Sequence, residues 1–366
     1  MASIERRKTK DGEPRWDVRH RVGPREVSRT FRTRSDAVAY RRQIEHDALR
    51  GTGFDPRGGT ITLDDWWAIW WPLTANLRAS TRARDEAYYK ARIKPTLGDL
   101  QLVRIDRAAL RAWIAELRAA GLASATVVKA AQILSKTLRA AVDDGRLGRN
   151  AAEKLELPPI ERQEMRFLDA AQVGDLADAI QPAYRALVIL GAYGGLRLGE
   201  MLALRRDRVN LLHAHVEVAE TVATVRGQLI VNPPKTRASL RRVPLPRVVV
   251  NELEHHLARV DGELVFPAPE GKYVRAELWR RRVWTPAVAR ADLVPLRPHD
   301  LRHTAVALWI AAGASPVEIA ARAGHTSVVT VLDRYGHLLP GSEDRLNAAL
   351  DEIASAHQLR VTRRPG

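Results

Sequence analysis

In RPHDLRHTAVALWI, residues 297–310, two arginines and two histidines stand directly before an apolar run. A helix that buries Val306, Leu308 and Ile310 has no packing need for His299, Arg302 and His303 at its start. Three readings fit: a solvated helix end, a salt-bridged core histidine, or a site that holds an anion. His299 and Arg302, at i and i+3, share one helix face, and a helix N-terminus favours negative charge. Three other stretches carry similar chemistry: GGLRLGE with Arg197 and Glu200, PPKTRASLRRVPLP with Lys235, and AGHTSVVTVLDRYGH with His325 and Tyr335. Singly each is ordinary. Arg197 and Glu200 at i, i+3 fit a helix ion pair, and a tyrosine near a histidine commonly packs at a core edge.

The charge balance bounds the partner. Lys plus Arg is 59 against 43 for Asp plus Glu, a net charge of +16 over 366 residues. Such an excess favours a polyanion, because each neutralised phosphate releases counterions from nucleic acid; a coding bias that raises Arg and Ala together is the plainer source of many surface arginines. With no cysteine, disulfides, thiolate nucleophiles and cysteine zinc sites are excluded, which fits a cytoplasmic protein. No apolar stretch approaches the roughly 18 residues of a membrane span. The basic N-terminus lacks the apolar core of a secretory signal.

The elements that must position these residues fall into three segments. RWDVRHR (15–21) alternates, with Trp16, Val18 and His20 on one face and Arg15, Arg19 and Arg21 on the other; with EVSRTFR (26–32) it predicts a hairpin. A helix follows, with Ser35 as N-cap, Ala37, Tyr40, Ile44 and Ala48 as its apolar stripe and Gly51 as its end. Such a sheet could lay strands in a DNA groove; an ordinary solvated face is the alternative. After the Gly/Pro linker 51–59, Thr62 and Asp65 resemble a capping box. Helical patterns near 81–93, 106–120 and 124–144 start at Asp106 and Ser124 and stop at Gly121 and Gly145. The tryptophans here read as core. Beyond a charged, proline-containing linker (156–167), Asp169 and Gln172 sit at capping-box spacing. A helix carrying ILGAYGGLRLGEMLAL, strands at 214–224 and 228–232, and several more helices follow. The fold class is mainly α with small β-sheets (α+β).

Together, in order and with these neighbours, the four stretches resemble the tyrosine recombinases, specifically phage-type integrases, and the resemblance spans essentially the full length. It implies a small arm-type DNA-binding domain over 1–55, a helical, SAM-like core-binding domain over 60–155, a catalytic domain over 165–350 and a C-terminal tail over 351–366. Arg197 and Arg302 look like the two arginines that clamp the scissile phosphate, and Lys235 like the lysine that protonates the leaving 5′-oxygen. His299 looks like the histidine that assists proton transfer with the tyrosine. His325 looks like the donor to a non-bridging oxygen, and Tyr335 like the nucleophile. Glu200 stands where an acid commonly supports the first arginine. Arg15, Arg19 and Arg21 are the candidate DNA contacts of the arm. The resemblance implies no cofactor and no metal. Its implied partners are double-stranded DNA attachment sites, three further copies in a tetrameric synapse, and accessory DNA-bending and excision factors.

The chemistry accounts for these residue types. Attack on a phosphodiester concentrates negative charge on the equatorial oxygens, which arginine forks match while staying charged. A phenol near pKa 10 needs cations and a proton acceptor, and the leaving alkoxide needs an acid. Arginines take over the charge-stabilising task of a metal. On this reading the turn at His299–Arg302 is built for a phosphate, whereas His303 is expected to serve Asp300 or a backbone carbonyl. Some positions depart from the family pattern. Ala151 replaces a common proline, and Arg206 and Arg208 stand where a tryptophan and an acid are usual. Tyr193 and Tyr273 are rival tyrosines, read as core and loop; His337 reads equally as support for the site or as a helix end. Two alternatives remain open: a tyrosine-class (type IB-like) topoisomerase, and an inactive relative that binds and bridges DNA. The amphipathic tail, with Leu346, Leu350 and Ile353, fits docking on a neighbouring protomer or packing on its own domain.

Overall fold

The computed structural model describes residues 2–9, 11–22, 25–49, 58–161, 165–233, 239–338 and 347–355. They form two compact units, 1–162 and 163–366. The first opens with an antiparallel sheet of β1 (Ser3–Lys8), β2 (Pro14–Val22) and β3 (Arg25–Phe31), in that order. The β2–β3 hairpin matches the alternation, with Val18 and His20 buried. Strand β1 was not foreseen, because SIERRK has one apolar residue; pairing of Ile4 with Val18 and of its neighbours along β2 makes it a strand. Helix α1 (Arg34–Leu49) starts before the expected cap. Thr33, not Ser35, accepts from the Asp36 amide, at 3.2 Å. Ala37 is buried on its stripe; the Ala48 side chain, Gly51 and most of the following linker lie outside the described residues.

In the helical part, Thr62 accepts from the Asp65 amide at 3.1 Å and opens α2 (Leu63–Leu73). The tryptophans pack inward as expected: Trp67 stacks on Tyr89 with ring centroids 3.8 Å apart, and the Trp66 indole donates to the Thr137 carbonyl at 3.0 Å. Helix α3 (Ala79–Tyr88) continues through a π-turn (Tyr89–Ile93) into α4 (Lys94–Leu97). Asp106 caps α5 (Arg107–Ala119) through the Ala109 amide at 2.8 Å. Ser124 is the first residue of α6 (Ser124–Asp143), whose cap position is Ala123; Ser124 therefore starts the helix without capping it. Gly121 and Gly145 leave their helices at φ +75° and +71°, the left-handed conformation that glycine adopts without a Cβ penalty.

In the second unit the Asp169–Gln172 capping box opens α7 (Ala170–Ala179). The stretch read as one helix over ILGAYGGLRLGEMLAL is broken. Helix α8 (Arg185–Ile189) passes through a π-turn (Leu190–Gly194) and reverses at Gly195, φ +68°, before α9 (Leu198–Met201). A Cβ on Gly195 would lie 2.5 Å from the Trp309 ring, so the chain turns where the two segments touch. The predicted strand 214–224 is likewise two strands. Strand β4 (Val209–Asn210) pairs with β5 (His215–Val218), which also pairs with β8 (Arg241–Pro244); β6 (Thr221–Val225) and β7 (Gln228–Asn232) form a separate hairpin. Arg206, in place of a tryptophan, donates to the Leu257 carbonyl at 2.8 Å, and Arg208 pairs with Glu217 at 3.0 Å.

Helix α10 (Arg247–Leu257) follows, then α11 (Ala276–Trp279), a π-turn (Arg280–Trp284) and α12 (Thr285–Arg290). Last come α13 (Asp300–Ala311), α14 (Pro316–Ala323) and α15 (Val329–Tyr335). Val306, Trp309 and Ile310 of α13 pack with Ile319 and Val331 into one apolar cluster; Leu308, expected inside, is half-buried. Residues 347–355 are helical, with Leu350 and Ile353 exposed; Leu346 lies outside the described residues. None of the described helices is long and apolar enough to cross a membrane.

Candidate active site

Arg302 is the hub. It sits in the first turn of α13, with His299 at the cap position, and is 2% exposed. Its Nη1 donates to the Gly195 carbonyl at 2.7 Å, and its Nη2 donates to the Ala323 carbonyl. Both acceptors lie at chain reversals, Gly195 at φ +68° and Gly324, next to Ala323, at φ +65°. Carbonyls at helix ends lack intrahelical partners, and here a guanidinium takes up two of them. The same reversals deliver the neighbouring side chains: Arg197 follows Gly195 by two residues, and His325 follows Gly324.

Arg197 is fixed by Glu200, whose Oε2 accepts from the Arg197 amide at 2.9 Å and whose Oε1 accepts from Nη1 at 2.8 Å. Glu200 is 4% exposed and also accepts from Arg241, Oε2 from Nη2 at 3.0 Å and Oε1 from Nη1 at 3.3 Å. Arg241 in turn donates to the Arg322 carbonyl at 2.9 Å. Arg241 escaped the sequence reading, although strand alternation carried the signal: two residues before buried Val243, it shares the inward face of β8.

Tyr335, the last residue of α15, is 1% exposed. Its Oη lies 2.6 Å from Nδ1 of His303. That corrects the expectation for His303, whose side chain meets the tyrosine and not Asp300, because Asp300 is taken by the Arg297 amide at 2.7 Å and the Arg297 guanidinium. Arg197, Glu200, His299, Arg302, His325 and Tyr335 line one open cleft of about 460 Å³. Residues separated by up to 138 positions thus converge (Arg197 to Tyr335). Lys235 lies outside the described residues. In the arm sheet, Arg15 pairs with Glu13 and exposed Arg19 with Glu5, while the Arg21 side chain lies outside the described residues. The rival tyrosines are elsewhere: Tyr193 packs half-buried on the core, and Tyr273 lines a different cavity. His337 is exposed in a short turn after α15.

Burial and crowded cations set the protonation states. His299 is pushed down to about 4 by burial, then by His303, Arg302 and Arg197. His325 is pushed down to about 4 by burial, then by Arg302 and Arg197. Burial and Arg197 press Arg302 down to about 9, which leaves it charged at neutral pH. Burial raises the Tyr335 phenol, while Arg302 and Arg334 pull the other way. A cleft lined by fixed cations and neutral, proton-accepting imidazoles suits a phosphodiester anion. One consequence is measurable without DNA. The folded values of His299 and His325 lie below the ordinary 6.5, so between about pH 6.5 and 4 the unfolded chain binds more protons and stability is lost as pH falls. Melting of the DNA-free chain is expected to drop across that window more steeply than in a His299→Gln, His325→Gln variant. Parallel curves would show that the two imidazoles do not carry it.

Comparison with known proteins gives consistent findings. A family model described as Phage integrase family matches residues 166–341, and one described as Phage integrase, N-terminal SAM-like domain matches residues 62–118. The ICEBs1 integrase of Bacillus subtilis (strain 168) is 29% identical over 247 residues, covering 64% of this chain and 67% of the relative. The integrase of Mycobacterium phage D29 is 27% identical over 294 residues, 78% of this chain and 77% of the relative. Among solved structures, the Tn1549 transposon integrase in complex with a circular intermediate DNA superposes with a TM-score of 0.69 at 16% identity, covering 75% of this chain and 95% of that one. A lambda integrase tetramer bound to a Holliday junction gives 0.56 at 17%, covering 88% and 92%. At these identities the two structures speak for the fold.

Proposed function

Because this chain belongs to the phage integrase family of tyrosine recombinases, we propose that it is a site-specific DNA recombinase that cleaves and rejoins strands through a 3′-phosphotyrosyl link. The observation that carries the reading is the single cleft lined by Arg197, His299, Arg302, His325 and Tyr335. In the mechanism, Arg197 and Arg302 hold the scissile phosphate, and His325 donates to a non-bridging oxygen. Tyr335 attacks phosphorus. His299 assists proton transfer with the tyrosine, and Lys235 protonates the leaving 5′-oxygen. Glu200 positions Arg197. The arginines offset the charge that builds on the equatorial oxygens, and the phosphotyrosyl bond conserves the energy needed for rejoining.

The remaining parts serve DNA recognition. Residues 1–55 form the arm-type domain, with Arg15, Arg19 and Arg21 toward DNA; the exposed pairs with Glu13 and Glu5 are weak enough to exchange for phosphate. Residues 60–155 form the core-binding domain, 165–350 the catalytic domain, and 351–366 a tail. The protein works in the cytoplasm on attachment sites of a phage or mobile element, as four protomers with accessory DNA-bending and excision factors. The solved lambda integrase tetramer on a Holliday junction supports the fourfold assembly.

The test is a denaturing gel of the full chain with nicked duplexes captured from a randomised library, in excess EDTA. A protease-sensitive, slowly migrating DNA band is expected, because arginines and not a metal carry the charge stabilisation. Absence of the band with retained binding would overturn the catalytic reading in favour of a DNA-bridging relative. Vigorous relaxation of a site-free supercoiled plasmid would mark a topoisomerase instead.

A further inference from the structure

The Tyr335 hydroxyl meets a histidine that does not itself line the phosphate cleft. Nδ1 of His303 lies 2.6 Å from Oη, and the two side chains are 6% and 1% exposed. On α13, His299, Arg302 and His303 fall within about one helical turn. His299 and Arg302 line the cleft while His303 does not, and the His299 ring stands edge-on to that of His303 at 4.8 Å between centroids. The imidazole thus reaches the phenol without itself lining the cleft.

We propose that His303 is the proton acceptor for Tyr335, a role that rests on Tyr335 being the nucleophile. As Oη bonds to phosphorus, its proton passes to Nδ1 of His303. The P–O5′ bond breaks with its electron pair on the 5′-oxygen, which takes a proton from the acid, Lys235. In rejoining, the imidazolium returns its proton to Oη as the tyrosine leaves. His299 is thereby released for the phosphate side of the cleft. Two surroundings suit the task. Burial holds His303 below the usual histidine range, so a neutral ring offers a lone pair at neutral pH. Asp300, 2% exposed and one turn earlier on α13, opposes that effect and favours the imidazolium once it forms.

The experiment uses the full chain and duplexes that the wild type captures covalently from a randomised nicked library. Each duplex is made with either an oxygen or a bridging 5′-sulfur at the scissile bond; sulfur leaves without a proton. The variants are His303→Ala and His303→Asn, the latter placing an amide acceptor near the Nδ1 position with little basicity. Both are expected to bind the duplexes like wild type and to form adduct roughly 10²- to 10⁴-fold more slowly, the range for loss of a general base, on both leaving groups. Free imidazole is expected to recover part of the His303→Ala rate. A wild-type rate in His303→Asn would reduce the contact to positioning and overturn the proposal. So would a defect confined to the oxygen substrate, which marks a proton donor. Adduct that persists in Tyr335→Phe would overturn the nucleophile and this role together. Adduct lost in Tyr335→Phe but undiminished in His303→Ala would overturn this role alone.

Discussion

Tyr335→Phe is expected to form no covalent adduct at any time point, with the duplex still bound at wild-type affinity. The substitution removes one atom from a ring that otherwise stays where it is. That ring packs in the cluster with Trp309, Ile319 and Val331, and phenylalanine fills the same space. What is lost locally is the partner of His303 Nδ1, a buried group left unpaired at a cost of about 1–3 kcal/mol. Melting should therefore fall modestly while folding is retained. Neither rival tyrosine is placed to take over: Tyr193 packs on the core, and Tyr273 lines a separate cavity. DNA affinity should hold because it is spread over many basic residues, none of them altered. A covalent band from Tyr335→Phe at wild-type yield would show that the bond to DNA is made elsewhere.

The sequence carried those parts of the molecule whose causes are local. A cap and its partner three residues on, as at Thr62–Asp65 and Asp169–Gln172, settle a helix start within four positions, and both stand in the structure. The same holds for Gly121 and Gly145, where a left-handed residue ends a helix. What escaped depends on distant partners. The break at Gly195 is set by Trp309, 114 positions away. The division of 214–224 is set by which strand each half pairs with: β5 lies on β8, and β6 on β7. Strand β1 has almost no alternation of its own and exists through β2.

The site shows the same division. Six of its side chains were named from three short stretches, since each stretch pairs a cation or imidazole with a glycine or helix start that presents it. Their convergence on one cleft follows from packing that no single stretch reveals. The Tyr335–His303 contact spans 32 positions, and the local spacing of His303 to Asp300 pointed to the wrong partner. Arg241 is the instructive omission, because alternation around Val243 placed it inward. A buried arginine demands a counter-charge, and the carboxylate it finds is the one already assigned to Arg197.

That shared carboxylate makes Glu200→Gln the most disruptive conservative change in the site. Glu200 accepts from four donors, the amide and Nη1 of Arg197 and both Nη atoms of Arg241. Glutamine has nearly the same shape but one acceptor oxygen; its amide nitrogen would face an arginine N–H, donor against donor. The charge matters more. Arg197, Arg241 and Arg302 already repel within the cluster, and Glu200 offsets them at Arg302. Burial alone would raise the Glu200 carboxyl, yet Arg241 and Arg197 hold it below the usual range, so its contribution is fully present at neutral pH and lost only as pH falls through that lowered value. The Arg241–Glu200 pair, with side chains 6% and 3% exposed, is the costly one to break, at about 3–5 kcal/mol; Arg197, at 38%, is partly screened by solvent. Glu200→Gln should therefore melt well below wild type without DNA and cleave slowly, because Arg197 no longer has a fixed direction. Bound duplex should recover much of the melting loss, since the phosphate supplies the missing negative charge in the same cleft. A variant that melts like wild type in the absence of DNA would show that the three arginines do not depend on Glu200.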